Sequence, residues 1–425
     1  MSASRRLGIA AVILVAAVLA PTEPAAAATD LQSQEYWLTD NGITQAWRTT
    51  KGAGERIAII DTGIGTASAF ADAVAAGTDL SGQGSADGRT PVGSSDRDHG
   101  SWVASLAAAR PVSGMIGVAP EAELLSVSLG IDSGSPVPFA TQVADAIRWS
   151  VDNGADVINL SFTTNSLDWD TSWDDAFLYA FDHDVVVVVA AGNRGSGTDQ
   201  VGAPATIPGV LTVAGVGPDG QASVEASTQG ITIGVAAPSE ELLGVSADGT
   251  LVRWSGTSGA APIVAGIVAL VRAAHPELDA ANVINRIIRT ANAPAGVTDL
   301  PDALYGYGIV DAAAAVSAEV ATVTANPMGD LREWIRVHRR AAVTAAPDPD
   351  TTAVAVPALP AAEQPSTAVS PLLPTPDTLL YGSLPLSALT LAAILIALGV
   401  TAAVRRVRSA RASRATVESQ ESSSS

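Results

Sequence analysis

Three short segments carry residue types suited to hydroxyl chemistry: Ile60-Asp61-Thr62-Gly63, Asp98-His99-Gly100 and Ser255-Gly256-Thr257-Ser258-Gly259-Ala260-Ala261-Pro262. A serine hydroxyl is a poor nucleophile until an imidazole takes its proton. The imidazole in turn needs a carboxylate to fix its tautomer and stabilise the imidazolium. Asp61 as orienting acid, His99 as base and Ser258 as nucleophile would together perform acyl transfer. A rival reading of Asp-Thr-Gly, two carboxylates sharing one proton, needs two such triplets, and the chain has one. The other histidines, His183, His275 and His338, read as structural or solvated. Ser258 opens a long apolar helix, whose first turn offers its dipole and free backbone N–H groups to a developing oxyanion. Gly256 permits the close turn before it, and Pro262 is expected in the first helical turn.

The elements that must position these residues follow from apolar patterning. Residues 57–60, 157–160, 185–190, 210–214 and 231–235 are continuous apolar runs rich in β-branched residues, expected of parallel strands covered on both faces. Helical periodicity alternates with them over 141–153 and 258–275. Pro276 ends the second helix and Asp279 caps another. This alternation predicts an α/β fold, a doubly wound, mostly parallel sheet with helices on both faces. Functional residues of such folds gather at the carboxyl ends of strands. Asp61 sits at one such end and Asn193 just past another.

The composition narrows the chemistry. The 425 residues include no cysteine, which excludes thiol catalysis, cysteine-ligated zinc and a disulfide scaffold. A net charge of −20 disfavours nucleic acid as a partner. No acidic cluster has EF-hand spacing, and nothing in the sequence asks for a metal or cofactor.

The ends are unlike the body. Arg5 and Arg6, an apolar run over 7–20 and the alanines of 25–28 read as a secretory signal peptide, residues 1–28. Residues 384–404 carry no charge, are long enough to span a bilayer, and are followed at once by an arginine cluster. That places residues 405–425 in the cytoplasm and the body outside. Between lie an N-terminal extension (29–56), a catalytic body (57–320), and a juxtamembrane and proline-rich linker (321–383). The linker composition favours extended chain. A short basic helix is expected near 331–340.

The three segments, in the order Asp, His, Ser, resemble the signature stretches of the subtilisin-like serine proteases, or subtilases. The likeness runs from about Ile57 to Val316 and includes Val157-Ile158-Asn159-Leu160-Ser161, Ala190-Ala191-Gly192-Asn193 and Tyr305-Gly306-Tyr307-Gly308. It implies that Asn193 donates a side-chain hydrogen bond to the oxyanion. It also implies that Ser161, Phe162, Thr163, Ala191 and Gly192, with Leu129 and Gly130, bind the substrate polypeptide. Tyr36-Trp37-Leu38, Ala46-Trp47 and Lys51-Gly52-Ala53-Gly54 are similar to the N-terminal extension of mycosins, the membrane-anchored subtilases of type VII secretion. That likeness implies membrane attachment, a secretion complex as partner and an extension braced on the body by Tyr36, Trp37 and Trp47. Four departures stand out: Gly259 where subtilases usually have a larger residue, Ser101-Trp102 after Gly100, Asp98, and Thr163 where glycine is common. Thr163 should narrow the pocket for the residue before the scissile bond. The departures admit an alternative, a protease fold serving mainly as scaffold of a secretion complex.

Overall fold

The computed structural model describes residues 34–93, 96–131, 134–339, 399–402 and 405–406. The expected signal peptide, the proline-rich stretch and most of the expected membrane helix lie outside these residues; 399–402 and 405–406 are helical. Among the described residues one helix is long and apolar enough to cross a membrane, Thr257–Ala274. It is 89% buried inside the body, so it is a core helix.

Seven strands form a parallel sheet: β1 (Arg56–Asp61), β2 (Val74–Asp79), β3 (Glu123–Ser128), β4 (Val157–Leu160), β5 (Val186–Ala190), β6 (Leu211–Val216) and β7 (Ile233–Pro238), in the order β2-β3-β1-β4-β5-β6-β7. From β1 the chain goes first to the edge strand β2, returns to β3 beside β1, and then crosses to the other side at β4. β1 is therefore the switch point, where a crevice opens beyond the strand ends. Its register sets Ile60 beside Val127 on one flank and Leu160 on the other. Asp61 and Ser161 thus leave neighbouring strands side by side.

The apolar runs divide by strand alternation between two cores. Ile57 and Ile59 join one cluster, with α1 (Tyr36–Asp40), α2 (Ile43–Ala46), α3 (His99–Ala108), α6 (Thr257–Ala274), α7 (Ala280–Thr290) and α8 (Ala312–Ser317). Ala58 and Ile60 face the other, with α4 (Phe139–Asp152), α5 (Thr171–Asp182) and α9 (Leu331–His338). A separate antiparallel hairpin, β8 (Leu242–Val245) with β9 (Leu251–Trp254), leads directly into α6.

Some boundaries differ from the sequence reading. The run at 231–235 is displaced: Ile231 is 97% exposed in a turn, and the strand starts at Ile233. Pro262 is not in the first turn. The helix starts at Thr257, so Pro262 is its sixth residue and lies inside it.

The extension is built into the body. Trp37 is fully buried, the Tyr36 hydroxyl donates to the Glu240 carbonyl at 2.9 Å, and the Trp47 indole N–H donates to the Val118 carbonyl at 2.8 Å. Glu35, also buried, accepts the Ile116 N–H through one carboxyl oxygen, while the other has no partner. Burial pushes its carboxyl up to about 8, against the pull of the Ile116 hydrogen bond.

At the other end, the Asp330 side chain caps α9 by accepting the Glu333 N–H. Trp334 stacks on Trp169 with centroids 4.4 Å apart. Arg339 lies over both rings and pairs with Asp174 at 2.9 Å.

Candidate active site

Asp61 closes β1 with its carboxylate fully buried. The turn after it is held by short bonds: the Thr62 N–H donates to Asp61 Oδ1 at 2.7 Å, and the Thr62 hydroxyl donates to the Arg97 carbonyl at 2.7 Å. That same hydroxyl oxygen accepts the Gly100 N–H at 2.8 Å. Thr62 thereby ties the end of β1 to the start of α3. Gly100 has to be glycine, because a Cβ there would sit 2.6 Å from the Gly63 carbonyl oxygen.

His99, fully buried, opens α3 over this turn. Its Nδ1 lies 2.8 and 3.0 Å from the two Asp61 oxygens. A carboxylate can only accept, so Nδ1 carries the proton and Nε2 presents its lone pair. Nε2 has no hydrogen-bond partner.

Two indoles wall the imidazole. Trp102 and Trp254 lie with ring centroids 6.1 and 5.5 Å from that of His99, both edge-to-face. Trp102 is fixed by donating to the Ser246 hydroxyl at 2.8 Å. Ser101 accepts the Gly65 N–H at 2.9 Å. Both departures after Gly100 therefore have work in the local packing. Asp98 turns outward, 4.0 Å from Arg97.

Ser258, 3% exposed, is the second residue of α6. Its N–H lies in the first helical turn, where donors have no partner within the helix. Its hydroxyl donates to the Ser161 carbonyl at 2.9 Å rather than to His99. Since Ser161 follows β4 and Asp61 ends the adjacent β1, the bond to Ser161 holds Ser258 at the strand end next to that of the Asp61–His99 pair. Strands in a sheet lie about 4.8 Å apart. Rotation about the Ser258 Cα–Cβ bond moves the hydroxyl between staggered positions without moving the helix.

Asn193 follows β5, the next strand along. Its Oδ1 accepts the Thr257 N–H at 2.7 Å and lies 3.1 Å from the Thr257 hydroxyl. A backbone N–H can only donate, which fixes the amide orientation and leaves Nδ2 as the free donor. Thr257, which the sequence did not single out, is thus what aims Asn193.

The expected substrate residues occupy the same edge but do not all offer side chains. Phe162 is buried against Phe139, with centroids 5.3 Å apart, and Leu129 is fully buried. The Leu129 N–H donates to the Asp61 carbonyl and the Gly130 N–H to the Gln142 side chain. At these positions only backbone is left for a substrate. Ala191 is fully buried. Gly192 has φ +106, and a Cβ on it would meet Thr198 Cγ2 at 2.6 Å and Thr163 Cγ2 at 2.8 Å. The Thr163 hydroxyl donates to the Gly202 carbonyl at 2.9 Å, which locks its methyl toward Gly192. Thr198 approaches Gly192 only through the fold, so the sequence motifs did not reveal it.

The remaining histidines serve packing: His183 Nδ1 bonds to the Tyr179 carbonyl, His275 Nε2 to the Val316 carbonyl, and His338 stacks on Trp334. Among the described residues no group of three or more acidic or histidine side chains gathers in a metal-binding arrangement.

A buried Asp–His pair at the switch strand, a serine on the first turn of a buried helix and an asparagine aimed from the next strand define a serine peptidase of the subtilisin-like kind. The subtilase (peptidase S8) sequence profile matches residues 52–308, and the chain belongs to the subtilase family. Among its relatives, mycosin-4 of Mycobacterium tuberculosis is 35% identical over 336 residues, 67% of this chain and 70% of that protein. Subtilisin DY of Bacillus licheniformis is 34% identical over 270 residues, 62% of this chain and 92% of that protein. Of solved structures, MycP1 with the N-terminal propeptide removed superimposes with a TM-score of 0.58 at 30% identity, covering 68% of this chain and 98% of that one. The MycP3 protease from the type VII (ESX-3) secretion system gives 0.57 at 32% identity, covering 67% and 88%.

Proposed function

We propose that this chain is a membrane-anchored, extracytoplasmic serine endopeptidase that cleaves exported polypeptides beside a type VII secretion complex. The observation that carries the catalytic half is the Asp61–His99 bond of 2.8 Å at the switch strand, with Ser258 of α6 bonded to Ser161 at the adjoining strand end. His99 Nε2 takes the Ser258 proton as Oγ attacks the scissile carbonyl. Asp61 holds Nδ1–H and stabilises the imidazolium. The tetrahedral oxyanion receives hydrogen bonds from Asn193 Nδ2 and the Ser258 N–H. The intermediate collapses as His99 returns the proton to the leaving amine, and water then hydrolyses the acyl-enzyme by the same route. The mycosin relatives and the charge pattern flanking residues 384–404 support the cellular half.

The test is labelling of the full-length chain by a fluorophosphonate. Wild type should label, and Ser258→Ala should neither label nor cleave. Equal labelling of Ser258→Ala would remove the assignment.

A second reading has one observation in its favour: the Ser258 hydroxyl bonds to Ser161 and His99 Nε2 is unpartnered, the resting state of a weak catalyst or a scaffold. Complementation separates the two. Secretion restored by a Ser258→Ala protein means scaffolding; secretion lost, with normal folding and localisation, means catalysis.

A further inference from the structure

Pro262 creates a defect at the nucleophile. In an α-helix the carbonyl of residue 258 accepts the N–H of residue 262, and proline has none. The Ser258 carbonyl is therefore an orphan on the first turn of a buried helix, where an unpaired acceptor is costly. The replacement donor comes from a different strand. Ser161 Oγ donates to the Ser258 carbonyl at 2.9 Å. Because that carbonyl can only accept, Ser161 Oγ spends its proton there and must itself accept from the next group. That group is Asn159 Nδ2, 2.9 Å away. Asn159 and Ser161 are both fully buried, and Asn159 Oδ1 has no partner at all. An amide in the middle of a core strand, with half its polar atoms unsatisfied, is an expense that packing does not explain.

We infer that Asn159 and Ser161 are positioning residues for the nucleophile: the chain Asn159 Nδ2–H to Ser161 Oγ–H to Ser258 C=O holds the backbone of Ser258 against the sheet. The inference rests on Ser258 being the nucleophile. The hold is on the backbone, so it persists while the Ser258 side chain leaves the Ser161 carbonyl and turns to His99. A nucleophile whose carbonyl is fixed keeps its Oγ trajectory and its N–H aimed during attack. The proline that opens the gap also frees the carbonyl for a donor that ties α6 to the end of β4.

The test uses the full-length chain, with fluorophosphonate labelling rate and kcat and KM on a peptide substrate, and thermal melts to confirm folding. Ser161→Ala should lose about tenfold in both labelling rate and kcat, with KM within twofold, as for a group acting only on the transition state. Asn159→Leu should lose less, and should add nothing in the Ser161→Ala background, because it acts through Ser161. The specific rescue is Ser161→Ala combined with Pro262→Ala. Alanine restores the N–H at 262, the Ser258 carbonyl regains a partner, and the rate should recover most of the loss. If Ser161→Ala alone does not fold, the double variant carries the test, since it should label near the wild-type rate without the Ser161 hydroxyl. A Ser161→Ala protein that labels at the wild-type rate overturns the inference, as does a rescue that fails in a folded double variant. A wild-type chain that does not label overturns the assignment of Ser258 as well, so the two failures are distinguishable.

Discussion

A side chain on Gly259 would begin 2.2 Å from Leu242 Cδ1. The residue after Ser258 is glycine because that volume is already filled, by Leu242 and Trp254 of the β8–β9 hairpin, the latter at 3.4 Å, and by Leu106 of α3 at 3.2 Å. The departure from the family pattern is thus a relocation of bulk from α6 to the hairpin, on the side where Trp254 also meets His99.

Gly259→Met should therefore overpack the site, at a cost of about 1–3 kcal/mol, read as a lower melting temperature together with reduced turnover. Leu242→Ala in the same chain should restore part of both. A Gly259→Met protein that melts like wild type would contradict this packing account.

Asn193→Ala removes the proposed oxyanion donor and also frees the Thr257 N–H. A kcat loss of about 10²–10³-fold is expected, with KM little changed. Steady-state kinetics check it. Thr257→Val should lose less, because the Thr257 N–H still aims Asn193 after the hydroxyl is gone.

The methyl groups of Thr163 and Thr198 converge on Gly192, so the pocket is expected to favour a small residue before the scissile bond. Thr163→Gly should raise kcat/KM for a phenylalanine substrate relative to the alanine one, by about tenfold. Parallel assays on the two peptides measure the ratio. An unchanged ratio would place the pocket elsewhere.

Glu35 links the extension to pH. Burial pushes its carboxyl up to about 8 when the extension is docked, from an ordinary value of 4.5 when it is released. The folded state holds more protons, so stability falls as pH rises from about 4.5 through 8, and the proton-linked penalty is absent below 4.5. Glu35→Gln should flatten that slope. Limited proteolysis of the extension at pH 5, 7 and 9 reads it directly: wild type becomes more susceptible as pH rises, and the variant less steeply so, since burial also raises the Glu55 carboxyl, to about 7.

The legible parts of this molecule were those carried by local pattern. Asp61, His99 and Ser258 stand in short segments whose residue types announce their chemistry, and five of the seven strands are plain apolar runs. β3 was hidden because Ser126 and Ser128 interrupt its apolar pattern; Ser126 spends its hydroxyl on Gly88 and accepts the Ile64 N–H, and Ser128 bonds to Asp79. β2 is a half-exposed edge strand with Gly77 inside it. Thr257, Thr198 and Trp254 act only through contacts that the fold makes. The proline at 262 was visible, yet its meaning depended on where α6 begins.

The clasp of Arg339 between Trp169 and Trp334 has a mechanical consequence. The joint links the residues after α9 both to Trp169, in the segment between β4 and α5 that begins at Ser161, and to Asp174 in α5. Local unfolding of α9 would open this joint, and with it the segment that follows β4, before any core helix is disturbed.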